Sequence, residues 1–305
     1  MSIEVNKLTK IYGSQKALDE VSFSVFKGDI LGFLGPNGAG KSTTMKILSC
    51  FIPQTSGEAK ITGLDVKTDS LAVRRVLGYL PEHNPLYKDM YIKEYLLYVA
   101  KLYQLDNSAR RVRDMIELTG LGREQHKLIS QISKGYRQRV GLAQAMIHDP
   151  QVLIMDEPTS GLDPNQLAEI RNVIREIGKE KVVIFSTHIM QEVEALCNRV
   201  VIINKGRIVL DDKIEKLSAV SQVSNTITIQ FAPGSRVDTA SFRQIDDLKD
   251  IQPKNENSFE FTSSGDRDIR VELFDASVAA ELKIIRMEQR SFSMEDIFQQ
   301  LTTNS

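Results

Sequence analysis

At 305 residues, with 39 Lys+Arg against 40 Asp+Glu and a formal net charge of -1, the chain is too long for one minimal domain and has no charge excess calling for nucleic acid or an anionic surface. Cys50 and Cys197, and the histidines His83, His126, His148 and His188, are scattered and fit no C-x-x-C or zinc spacing, so the cysteines read as ordinary thiols in a reducing compartment. No stretch approaches the roughly 20 apolar residues of a membrane helix and the opening Met-Ser-Ile-Glu-Val lacks a signal pattern, so a soluble cytosolic chain is expected, one that reaches any membrane through a partner.

Short strands open the chain: Ile3 to Leu8, Leu18 to Val25, Ile30 to Leu34, and Ser56 to Ile61 with a turn at Thr62-Gly63. Between the third strand and a helix-forming run, Thr43 to Leu48, stands Gly35-Pro36-Asn37-Gly38-Ala39-Gly40-Lys41-Ser42. That is the full spacing of a phosphate-binding loop, with strand before and helix after. The glycines let successive N–H groups turn inward at an anion, Lys41 reaches the outer phosphates, and the Ser42 hydroxyl is placed to hold Mg²⁺. The helix that begins at Thr43 adds partial positive charge. A bound nucleoside triphosphate follows.

Helical spacing comes next, at Ile92 to Tyr103, at Ser108 to Thr119 closed by Gly120 and Gly122, and from about Tyr136 to Ile147, ended by Asp149-Pro150. Strands and helices then alternate: strand Val152 to Met155, helix Pro164 to Ile177, strand Val182 to Ser186, helix Met190 to Cys197, strand Val200 to Asn204. This order predicts an α/β fold with a parallel sheet and right-handed crossovers. Asp156 and Glu157 stand at the carboxyl end of the first of these strands, where ligands gather in open α/β sheets. Asp156 suits the shell of Mg²⁺, and Glu157 can orient or deprotonate an attacking water.

The small polar stretch from Leu217 to Asn225 marks a boundary. Residues 1–218 are expected to form one domain, with a helical subdomain at about 88–148, and residues 225–305 a second. The tail reads as strand Thr226 to Phe231, helix Thr239 to Ile245, a weak strand near Leu248 to Gln252, strand Ser258 to Thr262, helix Asp268 to Ala280 and strand Leu282 to Glu288, the order of a small α+β, ferredoxin-like unit. A last helix starts at Ser293, which with Asp296 makes a capping-box pattern.

Ile132-Ser133-Lys134-Gly135-Tyr136-Arg137-Gln138-Arg139, between the two phosphate-site elements, resembles the signature of ATP-binding cassette (ABC) proteins. The resemblance spans about Met1 to Leu217 and implies a P-loop NTPase nucleotide-binding domain with a helical subdomain that hydrolyses ATP with Mg²⁺. It places Tyr12 at the adenine-stacking aromatic, Ser160-Gly161-Leu162-Asp163 at the D-loop, and His188, after Ser186-Thr187, at the switch histidine. Ser133 and Gly135 precede a helix, so they form a second anion-binding helix start by the physics of the first. The family pairs the signature of one copy with the phosphate loop of the other, which implies a homodimer with composite sites. Glu82 stands where most members have a glutamine that links Mg²⁺ and the attacking water to the membrane partner; a carboxylate still ligates Mg²⁺ but loses the amide's donor role.

The form of the signature, with the run Tyr79 to Tyr87, is most similar to the ABC-2-type exporter branch, and the whole chain to gliding-motility-associated ATP-binding subunits. That similarity implies separate integral membrane permease subunits and a peripheral place on the cytoplasmic face of the inner membrane. A soluble mechanical ATPase and a regulatory module without turnover remain the rival readings. A single cassette without a long coiled-coil insertion disfavours the first, and Glu157 disfavours the second.

Overall fold

The computed structural model describes residues 2–217, 224–264, 268–291 and 294–303. The chain divides into two compact units, Met1–Ile214 and Glu215–Asn304.

The first unit is built on a six-stranded sheet of order β10-β9-β3-β8-β7-β6, formed by β3 (Ile30–Leu34), β6 (Leu77–Leu80), β7 (Val152–Asp156), β8 (Val182–Thr187), β9 (Arg199–Asn204) and β10 (Arg207–Lys213). All neighbours run parallel except the edge strand β10, which pairs antiparallel with β9. Residues of β7 and β8 alternate between two apolar clusters. Leu153, Met155, Val183 and Phe185 pack into a cluster with α3 (Ile92–Leu102), α4 (Ser108–Leu118), α5 (Lys134–Met146) and α6 (Pro164–Gly178), whereas Val152, Ile154, Val182 and Ile184 join one with α1 (Lys41–Leu48). Burial on both faces explains why these strands read as unbroken apolar runs. A second, antiparallel sheet of order β2-β1-β4-β5 covers the α1 side, from β1 (Ile3–Tyr12), β2 (Gln15–Val25), β4 (Ser56–Ile61) and β5 (Leu64–Asp65).

Register lines up the functional segments. Leu34 lies opposite Thr187, and Asp156 opposite Ser186, so the ends of β3, β8 and β7 meet along one edge of the sheet. The phosphate loop therefore leaves its strand beside the strand that carries Ser186 and Thr187, and one strand away from Asp156.

Several elements go beyond the sequence expectation. α2 (Ser70–Val76) runs directly into β6 with no turn residue between, which hides both. β10 returns through Lys205 and Gly206, both at positive φ (47° and 78°), a tight hairpin turn. α5 starts at Lys134 rather than Tyr136, because the Ser133 side chain caps it by accepting the Tyr136 N–H at 3.3 Å.

The second unit is a sheet of order β12-β13-β11-β14, made of β11 (Ser224–Phe231), β12 (Leu248–Asn255), β13 (Ser258–Ser264) and β14 (Ile284–Ser291), all antiparallel. Ile227, Ile229 and Phe231 pack with Phe242, Phe261 and Leu273 of this unit. With α8 (Arg270–Ala279) this is the ferredoxin-like order, except that the helix expected over Thr239 to Ile245 is only a 3₁₀ turn, Thr239–Phe242. Asp246 and Asp247 follow it, the latter at φ 69°, and short acidic side chains favour a turn over a further helical turn. α8 begins at Arg270 rather than Asp268, since the Asp268 carboxylate accepts the Arg270 N–H at 3.0 Å from outside the helix. α9 (Met294–Thr303) closes the unit, and the capping residue expected at Ser293 lies outside the described residues. α7 (Met190–Leu196) in the first unit completes the elements.

Candidate nucleotide site

The phosphate loop is a cradle only glycine permits. A Cβ on Gly35 would strike the Ile203 carbonyl, and one on Gly40, at φ 114°, would sit 2.8 Å from the Ala17 carbonyl. Gly40 leads into α1 without a side-chain cap, so the first-turn N–H groups are left for an anion. Lys41 is buried at 6% exposure and donates from Nζ to the carbonyls of Gly35 at 2.7 Å and Pro36 at 3.2 Å. Burial pushes its pKa down, while the charges of Glu157 and Asp156 push it up; Glu157 Oε1 is 3.7 Å from Nζ. The ammonium is thus folded over the loop, where phosphate oxygens would take the place of the carbonyl acceptors.

At the end of β7, Asp156 is 2% exposed and accepts the hydroxyls of Ser42, at 3.2 Å, and of Ser186 on the same oxygen, Oδ1. The Glu157 N–H donates to the Ser186 carbonyl at 3.1 Å and to its hydroxyl oxygen at 3.3 Å. Glu157 sits at φ 49°, a left-handed backbone rarely adopted by glutamate. Its carboxylate meets Nδ1 of His188 at 3.0 and 3.1 Å. An Nδ1–H donating to Glu157 leaves Nε2 of His188 on the half-exposed side of the ring.

Gly40, Lys41, Ser42, Glu157 and His188 line a cavity of about 420 Å3, whose walls also include Asn37, Gly38, Thr43, Glu82 and Ser160. Glu82 and Ser42 also border an adjoining cavity of about 440 Å3, and Asp156 lines that second cavity. One chain brings together the phosphate loop, Glu82, Asp156, Glu157 and His188. Ser133 and Gly135 are elsewhere: Ser133 is exposed at the start of α5, and Gly135 lies so close to Gln166 that a Cβ there would strike its amide oxygen. Tyr12 is the last residue of β1, is 49% exposed, and carries the Lys10 ammonium 5.1 Å from its ring centre. It does not border the cavity, whereas Ala17 does. Sequence reasoning passed over Ser186 as a bridge between Asp156 and Glu157; the Ser186-Thr187 pair closing an apolar strand was the available signal.

A glycine loop and helix start for phosphates, a buried lysine, a hydroxyl–carboxylate pair and a carboxylate–imidazole pair at one sheet edge define a P-loop nucleotide hydrolase. Residues 18–160 match the ABC transporter family. The chain is 33% identical over 298 residues to the ABC transporter ATP-binding protein YxlF of Bacillus subtilis, covering 97% of this chain and 98% of that one. It is 39% identical to the bacitracin transport ATP-binding protein BcrA of Bacillus licheniformis, over 68% of each. Among solved structures, the ATP-binding subunit of an ABC transporter superposes with a TM-score of 0.66 at 30% identity, covering 72% of this chain and 93% of that one. The chain belongs to the ABC transporter ATP-binding proteins and is an ATPase.

Proposed function

We propose that this chain is the ATP-hydrolysing subunit of an exporter, acting as a head-to-tail homodimer on separate membrane-spanning subunits at the cytoplasmic face of the inner membrane. The observation that carries this reading is the separation of two anion-binding helix starts within one chain: the phosphate loop opens into the nucleotide cavity, and Ser133-Gly135 does not border it. A second copy supplying its α5 start would complete the γ-phosphate end, and Tyr12 would stack the adenine from the rim. Among the described residues no helix is long and apolar enough to cross a membrane; the proposal assigns the membrane crossing to the separate subunits. Similarity to a bacitracin transport subunit supports export of a drug-like cargo. A gliding-motility role is the narrower form of this reading and rests on resemblance of the whole chain.

The site residues fit Mg²⁺, since Ser42, Asp156 and Glu82 offer hard oxygen donors around the same cavities. Bound there, the ion would neutralise phosphate charge. Lys41 and the N–H groups of the loop hold and orient the phosphates. Glu157 accepts a proton from the attacking water, and the His188 contact fixes that carboxylate's direction. Closure around ATP and reopening after hydrolysis follow from the different contacts that ATP and ADP make across the two copies. The partner's coupling segment would dock near Glu82 and α3, where Phe51, Tyr79 and Pro81 wall the cavity of about 440 Å3. Glu157→Gln should keep ATP binding, slow turnover by on the order of 100-fold or more, and accumulate an ATP-dependent dimer in light scattering. Wild-type turnover, or a strictly monomeric ATP complex, would refute the reading.

A further inference from the structure

Three successive side chains at the end of β8 each engage a carboxylate: Ser186 meets Asp156, Thr187 meets Glu192, and His188 meets Glu157. The first and third belong to the site already described. The second joins two residues that touch neither the nucleotide cavity nor solvent, for Thr187 is 0% and Glu192 1% exposed. The Thr187 hydroxyl donates to Glu192 Oε2 at 2.7 Å and accepts the Ile189 N–H at 3.1 Å. Glu192 Oε1 is buried with no hydrogen-bond partner among the described residues.

A hydroxyl rotates freely and can donate one bond while accepting others. With its proton committed to Glu192, the Thr187 oxygen is left to accept from Ile189, so the side chain of the residue before His188 holds the peptide that follows it. This is not a helix cap. In a capping box the glutamate sits three residues after the hydroxyl residue and takes its backbone N–H; here it sits five residues on and takes the hydroxyl, while the cap position of α7, Ile189, has no side-chain bond. A carboxylate half-satisfied in the interior destabilises the fold, so its presence calls for a role other than stability.

We propose that Glu192 is a positioning residue for hydrolysis: through Thr187 it latches the turn that aims His188 at Glu157. The inference rests on the reading of His188 as part of the hydrolytic site.

The test uses full-length protein with ATP. Glu192→Ala should lower kcat by on the order of 10-fold, the scale of lost outer-shell support, with KM for ATP and affinity for a fluorescent ATP analogue unchanged. Glu192→Gln keeps an acceptor for the Thr187 hydroxyl and should retain most of kcat. Thr187→Val should reproduce the Ala phenotype, and it serves where Glu192→Ala folds poorly. In a His188→Ala background, Glu192→Ala should add no further loss, because both changes remove one function. The ring ¹⁵N shifts of His188 should move in Glu192→Ala and in Thr187→Val but not in Glu192→Gln. Additive losses in the double variant, wild-type kcat in Glu192→Ala, or unmoved ring shifts would overturn the latch. Wild-type turnover in His188→Ala alone would instead remove His188 from the reaction, and the ring shifts would still decide whether Glu192 positions it.

Discussion

Lys41 shows how a single side chain carries two requirements. Its ammonium must be buried to meet phosphate, and burial pulls its pKa down; Glu157 and Asp156 offset only part of that, and the carbonyls of Gly35 and Pro36 hold the head. Lys41→Ala should weaken ATP binding by on the order of 10-fold or more, measured by titration with a fluorescent analogue, with ADP affected less because the outer phosphate is absent. Unchanged ATP affinity would contradict the assignment. At this scale much was readable in the sequence. The loop, Asp156, Glu157 and His188 each stand in a local pattern whose chemistry follows from residue type and neighbours. The sequence signalled Ser186 only by its place at a strand end and Glu192 not at all, because the serine acquires its role from Asp156 on the neighbouring strand and the glutamate from the Thr187 hydroxyl against which its helix folds back.

Elements position these groups through burial. α5 is buried along most of its length, and the loop after it brings His148 against Leu77, with Nε2 3.1 Å from that carbonyl and the ring stacked on Tyr103 at 4.0 Å between centres. Burial pushes the His148 pKa below its ordinary 6.5, outweighing the Leu77 carbonyl, with Arg111 and Lys181 also lowering it and Asp149 opposing. The folded state therefore prefers neutral His148. Its stabilising contribution is complete above about pH 6.5 and is lost as pH falls below that value, because the unfolded chain takes up the proton more readily. Asp149, held low chiefly by Lys181, contributes in the opposite direction of charge and loses its part only below about 3.8. Thermal melts of the wild type should thus fall between pH 7 and pH 5 more steeply than those of His148→Gln, which keeps a donor for Leu77. Coincident slopes would show that His148 carries no such linkage. The helical and strand periods foretold most elements here, and they failed where a turn lacked its usual residues, between Val76 and Leu77, or where two aspartates stopped a helix after Phe242.

The whole molecule poses two questions, independence of its units and pairing of its copies. The second unit has its own apolar core around Phe231, Phe242 and Phe261. Phe261→Ala should destabilise that unit by about 3–5 kcal/mol, seen as a lowered transition in calorimetry, while ATP-dependent unfolding of the first unit and ATP hydrolysis persist. Loss of both transitions together would show one cooperative body. For pairing, Lys41→Ala and Ser133→Arg subunits, each inactive alone, should regain at most one working site per dimer when mixed. Activity from Ser133→Arg subunits kept strictly monomeric would sink the composite-site reading.

The chain's own order of residues pointed to a nucleotide-binding protein and marked the loop proposed to hold the phosphates, since strand, glycine turn and helix are contiguous and their physics is local. It also determined the strand–helix alternation of the first unit and the ferredoxin-like order of the second. Tertiary structure decided the rest. Parallel pairing of β3 with β8 and of β8 with β7 sets Leu34 against Thr187 and Ser186 against Asp156, so groups more than a hundred residues apart share one oxygen. Such contacts depend on which strands become neighbours, and that is settled by burial of both sheet faces rather than by any local pattern.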